Sequence, residues 1–517
     1  MKFDKIIIVG GGSAGWMTAA TLIKTFPKKD ITVIESPNVP IVGVGESTLS
    51  FIKQWTKYLE IDDKEFLAGT NGVYKLSIKF TDFYKKGEAF HYPFGSVDFE
   101  GNNNDLNDWW YKKSFYPETP NSDYAESMFP IMSLVNQKKL FYNEKQELPE
   151  FDFAKDTAYH FDAVKFGAWL KDNYCLPRGV KHIQEDIHDI KQDDNGIVSL
   201  NGKHKADLYV DCTGFKALLL DKTLKEPFES LEGMLPNNKA WAVRMPYIDK
   251  EKELNPYTNC TALGNGWVWN IPLWNRVGTG YVYSDKYTTD EEALKEFKTH
   301  LNRPDVEELE FRNLTMRTGI HKRLFVKNVV GIGLAAGFIE PLESNGLYTV
   351  HEFLMYLVKN LQREKISQWD KDNYTFQCKK TFRNFAEFVG LHYALSHRDD
   401  TQYWRDHMNK QWSENLITIF PKFTHGYLSA AIDRHDDFRF SPEGGLHCIS
   451  AGMNWGPTDK TTLTYHTRNT EQEFKNKYKY FIDRLQTRKD GWNKIVEDKP
   501  SYIDFLKENI HNENSPT

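Results

Sequence analysis

Three patterns in the 517-residue chain could carry chemistry. Gly10-Gly-Gly12-Ser13-Ala14-Gly15 fits G-x-G-x-x-G: the first glycine permits a tight turn, the second lets amides approach a pyrophosphate, and the third lets helix and strand pack closely. The phosphate then meets a helix N-terminus, where unpaired N–H groups and the dipole favour an anion, and Glu35 is placed to accept from ribose hydroxyls. Lys75 sits in Val73-Tyr-Lys75-Leu-Ser-Ile-Lys79-Phe80; an amine among apolar neighbours is either a snorkelling surface residue or, if buried, a nucleophile with a lowered pKa. Glu343, following Pro341-Leu342, can cap the turn at Ser344 or act as a general base.

The elements that must position these residues open with Ile6–Val9, a β-branched strand feeding the glycine loop, then a helical pattern through Ile23 and a second strand at 31–35. This is the βαβ opening of a doubly wound sheet. Residues 163–174 form an amphipathic helical pattern ending before Pro177, and 183–212 read as strands separated by turns at Asp194-Asn-Gly196 and Asn201-Gly202. Trp267 and Trp269 alternate on a strand and so share one face, which packing alone could explain. Gly101–Asp105 is a polar loop, the spacing from about 350 onward is helical, and the tail His511–Thr517 is expected to be disordered. The predicted fold class is α/β (α+β) with mixed sheets. An FAD-type module spans 1–350, with a substrate-floor segment inserted at about 75–150, and interweaves with a helix-rich substrate-binding region at 351–517.

Composition removes several function classes. Hydrophobic residues make up 40% and charged residues 27%, with mean hydropathy −0.61, as in a soluble globular protein. The length suits about three structural units. A net charge of −6, with no sustained block of either sign, leaves no electrostatic footprint for nucleic acid or an anionic membrane. The longest apolar run, Val329–Ile339, is shorter than the roughly 20 residues a bilayer requires. Cys175, Cys212, Cys260, Cys378 and Cys448 are widely spaced and read as reduced, buried thiols rather than a metal site or disulfide frame. With an N-terminus lacking signal-peptide layout, a cytoplasmic location is expected. Aromatic residues make up 14%, a figure that means little until positions can be named.

The glycine fingerprint serves FAD and NAD alike. The strand ending in Asp211-Cys-Thr-Gly214 and the segment Gly331-Ile-Gly333-Leu334-Ala-Ala-Gly337 resemble cofactor segments of FAD-binding monooxygenase-type folds. No second strong G-x-G-x-x-G of a built-in NAD(P)H domain occurs, so FAD is favoured, with reducing equivalents supplied from outside. Three further segments narrow the resemblance. Gly266-Trp267-Val-Trp269-Asn-Ile-Pro272 matches the W-x-W-x-I-P motif of flavin-dependent halogenases. Gly43-Val44-Gly45-Glu46-Ser-Thr48 resembles that family's flavin strap, and Glu340-Pro-Leu-Glu343-Ser-Asn345-Gly346 its EPLESTG segment. The order holds from the glycine loop to His392-Tyr393 and Arg398–Thr401, so the chain is identified as a member of the tryptophan-halogenase family.

The resemblance implies a chemistry. FADH2 from a separate flavin reductase, with O2 and halide, yields hypohalous acid; Lys75 captures it, as a haloamine or through a hydrogen bond, and passes electrophilic halogen to an aromatic carbon. Lys79 is the alternative lysine. Glu343 stabilises the ring cation and takes its proton, the amides of Asn345 and Gly346 form a halide nest, and Trp267 and Trp269 partition flavin from substrate. Phe90, Tyr92 and Phe94, beside His91, preserve part of an aromatic substrate floor. A homo-oligomer is compatible with this reading. A flavin-dependent aromatic hydroxylase and a non-catalytic flavin-binding protein are the alternatives.

The chain departs from the family pattern at three places. Asn345 stands where Thr is usual, implying a reshaped halide pocket in which bromide or iodide serves at least as well as chloride. Ser50 stands where Pro is common, which puts the strap's stiffness in doubt. Ser441 falls at about the place of the clamping Trp, with no Tyr-Tyr pair before it. The expected substrate is therefore an indole, a phenol or a larger aromatic scaffold rather than free tryptophan.

Overall fold

The computed structural model describes residues 2–40, 43, 45–95, 109–110, 112–113, 116–410, 445–455 and 471–512. Val44, Ser441, the 101–105 loop and tail residues 513–517 lie outside the described residues. The Ile6–Val9 run lies within strand β1 (Lys5–Val9), in a six-stranded sheet. β1 pairs in parallel with β2 (Asp30–Glu35) and β10 (Leu208–Asp211). Beyond them lie β7 (Lys181–Gln184) on one side, and β19 (Val329–Gly331) and the antiparallel β18 (Phe325–Val326) on the other. Ile6 and Ile8 enter one apolar cluster while Ile7 and Val9 enter another, the two-sided burial that makes a parallel strand continuously apolar. Helix α1 (Ser13–Thr25) follows the glycine loop.

A seven-stranded sheet carries the rest of the site, in the order β16 (Arg312–Thr315), β12 (Lys239–Met245), β15 (Val277–Tyr283), β14 (Gly266–Pro272), β13 (Tyr257–Ala262), β4 (Ser77–Thr81) and β5 (Ala89–Pro93). Only the β13–β4 pair is parallel. On β14, Trp269 lies opposite Gly280, and a Cβ at Gly280 would occupy the space of its indole ring. The smaller ladders are β3 (Val73–Lys75) with β6 (Ala158–His160), β8 (Ile190–Asp193) with β9 (Gly196–Leu200), and β17 (Gly319–His321) between β11 (Phe228–Ser230) and β20 (Gly337–Phe338). The expected Asp194–Gly196 turn joins β8 to β9.

Helices dominate after residue 345: Asn345–Leu361, Gln368–Ala394 and Glu471–Glu497 are the long ones. The first runs through position 350 and packs on α1, and the Gly445–Gly452 helix packs on β5. Among the described residues no helix is long and apolar enough to cross a membrane. Two expectations need correction. The 163–174 helix is α-helical only from Ala163 to Trp169, continuing as a π-helical turn over Leu170–Cys175. His511 is not disordered: its ring stacks on Trp274 with centroids 4.2 Å apart, and its Nε2 lies 3.0 Å from the Gly72 carbonyl. An indole face and a backbone acceptor hold it, and neither partner is near in sequence.

Asp211, at the end of β10, is fully buried. One oxygen accepts from the Thr213 amide and hydroxyl (3.0 and 2.6 Å), the other from the amides of Leu219 and Leu220 (2.7 and 2.8 Å). The carboxylate therefore holds the chain turn after β10. Asp211→Ala strips these donors of their acceptor, and a loss of about 3 kcal/mol or more in chemical denaturation is expected.

Candidate active site

The glycine loop divides into a packed side and an open side. Gly10 has φ 114°, and a Cβ there would overlap the Cys212 carbonyl, so only glycine fits. Gly11 lies against Glu35 and Gly15 against Gly10, whereas a Cβ on Gly12 would meet nothing within 4 Å. Gly12 is also the N-cap of α1 and offers no side-chain cap. The free edge is therefore where an anion could meet the leading amides of Ser13 and Ala14. Glu35 ends β2 with its Oε1 2.6 Å from His182 Nε2. A Cβ on Gly333 would lie 2.7 Å from that of Ala14, so the late Gly333-Leu334 segment closes over the loop.

A cavity of about 780 Å³ is lined by Gly43, Glu46, Arg244, Trp269, Thr279 and Arg312 among others. Its size and indole wall fit a planar ring system, and the open edge of the glycine loop, which is not part of this lining, fits a diphosphate. Glu46 is buried and bound to the Arg276 guanidinium, which also reaches Asp162 at 2.8 Å. Burial raises the Glu46 pKa and Arg276 offsets this, so its charge braces the strap from beneath. The Ser50 departure does not leave the strap's end loose. Phe161 N donates to Glu46 O at 3.0 Å, and Tyr159 N donates to Thr48 Oγ1 at 2.9 Å.

Lys75, at the end of β3, is fully buried. Its amine donates to Thr48 O at 2.9 Å and Ser344 Oγ at 3.0 Å, and lies 5.1 Å from the centre of the Phe94 ring. Burial lowers its pKa from the ordinary 10.5 to about 7, against the opposing pull of Cys260 and Glu343. Lys79 is only half-buried and sits near the Tyr257 ring, 5.9 Å from its centre. Glu343 is 1% exposed, with Oε1 2.8 Å from His392 Nε2. Glu343 Oε2 and the buried Tyr92 hydroxyl make no hydrogen bond. Burial first, then the Glu343 charge, drives the Tyr92 pKa up. Buried polar atoms left without hydrogen bonds are costly unless something else occupies them. Phe90, expected at the substrate floor, is buried, stacks on Phe80 at 5.2 Å and lies over Gly452.

The turn that delivers Glu343 is strained, with φ 70° at Glu343 and 56° at Ser344. Asn345 holds it: the carboxamide Nδ2 donates back to Glu340 O (2.7 Å) and Leu342 O (2.8 Å). Asn345 and Gly346 then open the Asn345–Leu361 helix, whose leading amides lack intrahelical acceptors and whose N-cap gives no side-chain bond. The Asn345 side chain thus clamps the turn, and only its amide is left to face an anion. The two tryptophans also separate. Trp269 lines the cavity, while Trp267 Nε1 donates to Glu340 Oε1 at 3.2 Å, beside Tyr393 and Asn237 on the same carboxylate. Burial raises the Glu340 pKa to about 7. Sequence reasoning gave no role to Ser47, His160, Thr258, Glu340 or His392. The signals available were Ser47 inside the strap segment, Glu340 inside the EPLE segment and His392 in the matching order.

The family model for tryptophan halogenase matches residues 5–468. The tryptophan 6-halogenase SttH of Streptomyces toxytricini is 34% identical over 431 residues, 78% of this chain and 80% of the relative. Among solved structures, VirX1 in its apo form aligns with TM-score 0.89 and 35% identity over 99% of this chain and all of that one. Tar14, a tryptophan C-6 flavin-dependent chlorinase from taromycin biosynthesis, aligns with TM-score 0.85 and 30% identity over 97% and 99%. The fold and site define a flavin-dependent enzyme that acts on an aromatic substrate. The chain belongs to the tryptophan halogenase family: it is a flavin-dependent halogenase that uses FADH2, O2 and halide and depends on a separate flavin reductase.

Asn345→Leu keeps the branching of the side chain and removes both bonds to the strained turn. A stability loss of about 2–3 kcal/mol is expected in thermal or chemical unfolding, with halogenation falling by more than FADH2 oxidation.

Proposed function

We propose that halogen transfer runs through the neutral amine of Lys75, with Glu343 as base, onto an electron-rich aromatic other than free tryptophan. The single observation behind this is a fully buried amine that meets two neutral oxygens and, among the described residues, no carboxylate, with the buried Glu343 carboxylate held by His392 instead; burial lowers the amine pKa to about 7. FAD would rest against Gly10, Gly12, Ser13, Ala14, Gly15, Glu35, Gly43, Gly45, Gly333 and Leu334, with Glu46 bracing the strap. When bound in reduced form, it supplies hypohalous acid from O2 and halide. At the Lys75 nitrogen an N–X bond forms as the O–X bond breaks, and the displaced hydroxide leaves with the amine proton as water. The aromatic carbon then takes X: the C–X bond forms, N–X breaks, the ring proton passes to Glu343, and the nitrogen recovers one proton. Tyr92 and Phe94 bound the ring, Trp269 separates it from the flavin, and Trp267 holds Glu340.

The amides of Asn345 and Gly346 are the proposed halide nest. Relaxed halide choice, with bromide or iodide used at least as well as chloride, rests on Asn345 replacing the usual Thr. The substrate proposal rests on the sequence around Ser441, and the cytoplasmic proposal on five buried free cysteines. The working division into 1–350 and 351–517 treats the second region as the substrate side. One experiment covers substrate and halide: protein, FAD, flavin reductase, NADH, each halide and a panel of indoles, phenols and free tryptophan, read by mass spectrometry. Chloride winning in mixed-halide competition would refute the halide proposal, and efficient turnover of free tryptophan the substrate proposal.

Lys75→Ala is expected to abolish halogenated product while FADH2 oxidation continues; persistent product would remove Lys75 from this role. Protonation removes the amine lone pair, so product formed per FADH2 consumed rises with pH through about 7 and levels off above it. A flat profile across that range contradicts the neutral-amine step.

A further inference from the structure

A chain of hydrogen bonds leads away from Lys75. Ser344 Oγ, which accepts from the amine, lies 3.0 Å from Ser47 Oγ. Ser47 Oγ lies 2.8 Å from Thr258 Oγ1, and Thr258 Oγ1 lies 2.8 Å from His160 Nε2. The other imidazole nitrogen, His160 Nδ1, is 3.1 Å from the Pro272 carbonyl. All five side chains are buried, with Lys75 and His160 at 0% exposure.

The far end sets the direction of every bond. A carbonyl only accepts, so Nδ1 carries the imidazole hydrogen and Nε2 of the neutral ring must accept. Burial holds the His160 pKa well below its ordinary value, which keeps the ring neutral. Thr258 therefore donates to His160, Ser47 to Thr258, and Ser344 to Ser47. The Ser344 oxygen is left with lone pairs facing Lys75. A neutral amine has two N–H bonds and one lone pair. Ser344 Oγ and Thr48 O take the two hydrogens, so the lone pair points along the remaining tetrahedral direction. An ammonium there would carry a third hydrogen with no acceptor among these partners.

We infer that His160 is a positioning residue: through Thr258 and Ser47 it fixes the orientation of the Ser344 hydroxyl and so keeps the Lys75 lone pair free for halogen capture. Without that anchor the hydroxyl chain can run backwards, with Ser344 donating to the lone pair and occupying it. The inference rests on Lys75 as the halogen carrier but adds residues outside that step. No atom of His160, Thr258 or Ser47 touches the halogen or the ring.

Thr258→Val keeps the shape of a β13 residue and cuts the chain, and Thr258→Ser restores the hydroxyl. With FADH2, O2, bromide and indole at pH 8, Thr258→Val is expected to lower brominated product per FADH2 consumed by about ten-fold, the factor that loss of one orienting hydrogen bond represents. The FADH2 oxidation rate and FAD affinity should be unchanged, and Thr258→Ser should recover most of the product. Wild-type yield in Thr258→Val, or no recovery in Thr258→Ser, overturns the inference. If Thr258→Val does not fold, Ser47→Ala interrupts the same chain and must show the same loss; wild-type yield there overturns it equally. Lys75→Ala is run alongside. Product from Lys75→Ala refutes the lysine mechanism itself, whereas its absence together with full activity in Thr258→Val refutes only the positioning chain.

Discussion

An amine removed from water must either be paired with an anion or tend to lose its proton. Lys75 is given two neutral oxygen acceptors, Thr48 O and Ser344 Oγ, and has no carboxylate within ion-pair distance among the described residues. Compare Lys53, buried almost as deeply, which pairs with Asp63 and lies over the rings of Tyr74 and Tyr159. Both lysines lose basicity to burial. Only Lys53 has a full counter-charge in contact, so it is held as a cation and serves packing. The difference between Lys53 and the lysine proposed to carry halogen is the absence of one contact.

Keeping Lys75 unpaired constrains its surroundings. The proposed mechanism requires Glu343 near enough to act on a ring proton without pairing with the amine, and the strained turn with φ 70° and 56° carries that carboxylate. Strain of this kind costs about 1–3 kcal/mol per residue. The Asn345 carboxamide offsets it from one side, and Glu340, gripped by Trp267, Tyr393 and Asn237, fixes the start of the segment. Glu343 itself meets His392 from the Gln368–Ala394 helix. The helical region thus contributes to the site through a buried histidine as well as through any surface it offers a substrate.

Local signals survived translation into structure. The Ile6–Val9 run, the glycine turn and Glu35 lie within one strand–helix–strand unit, and their conformations follow from side-chain type and spacing. The alternation of Trp267 and Trp269 correctly put both on one face but could not show that one indole reaches the cavity while the other serves a carboxylate. The contacts that matter around Lys75 were beyond such reading, because Ser47 meets Thr258 across 211 residues and Ser344 across 297. Ser47 and Ser344 sit in recognisable segments, but nothing in those segments pairs them with each other or with Thr258; the contacts become legible only once β3, β6 and β13 are packed. His511 escaped for the same reason, as its partners Trp274 and Gly72 lie far away in sequence.

Strand β14 draws these threads together and gives the W-x-W-x-I-P motif a physical reading. Trp267 bonds to Glu340 and so to the Glu343 turn; Trp269 lies against Gly280 and walls the cavity; the Pro272 carbonyl receives the His160 hydrogen. A proline suits that last position, because it leaves a carbonyl as its sole backbone hydrogen-bonding group and can only accept. One extended strand therefore touches the cavity, the carboxylate turn and the far end of the Lys75 hydrogen-bond chain at alternate or terminal positions. Shifting β14 by one residue would reverse its faces, moving Trp269 from the cavity and removing the support of Glu340. The motif is specific because three separate contacts demand the same register, and this also explains why packing alone would be an incomplete account of its tryptophans.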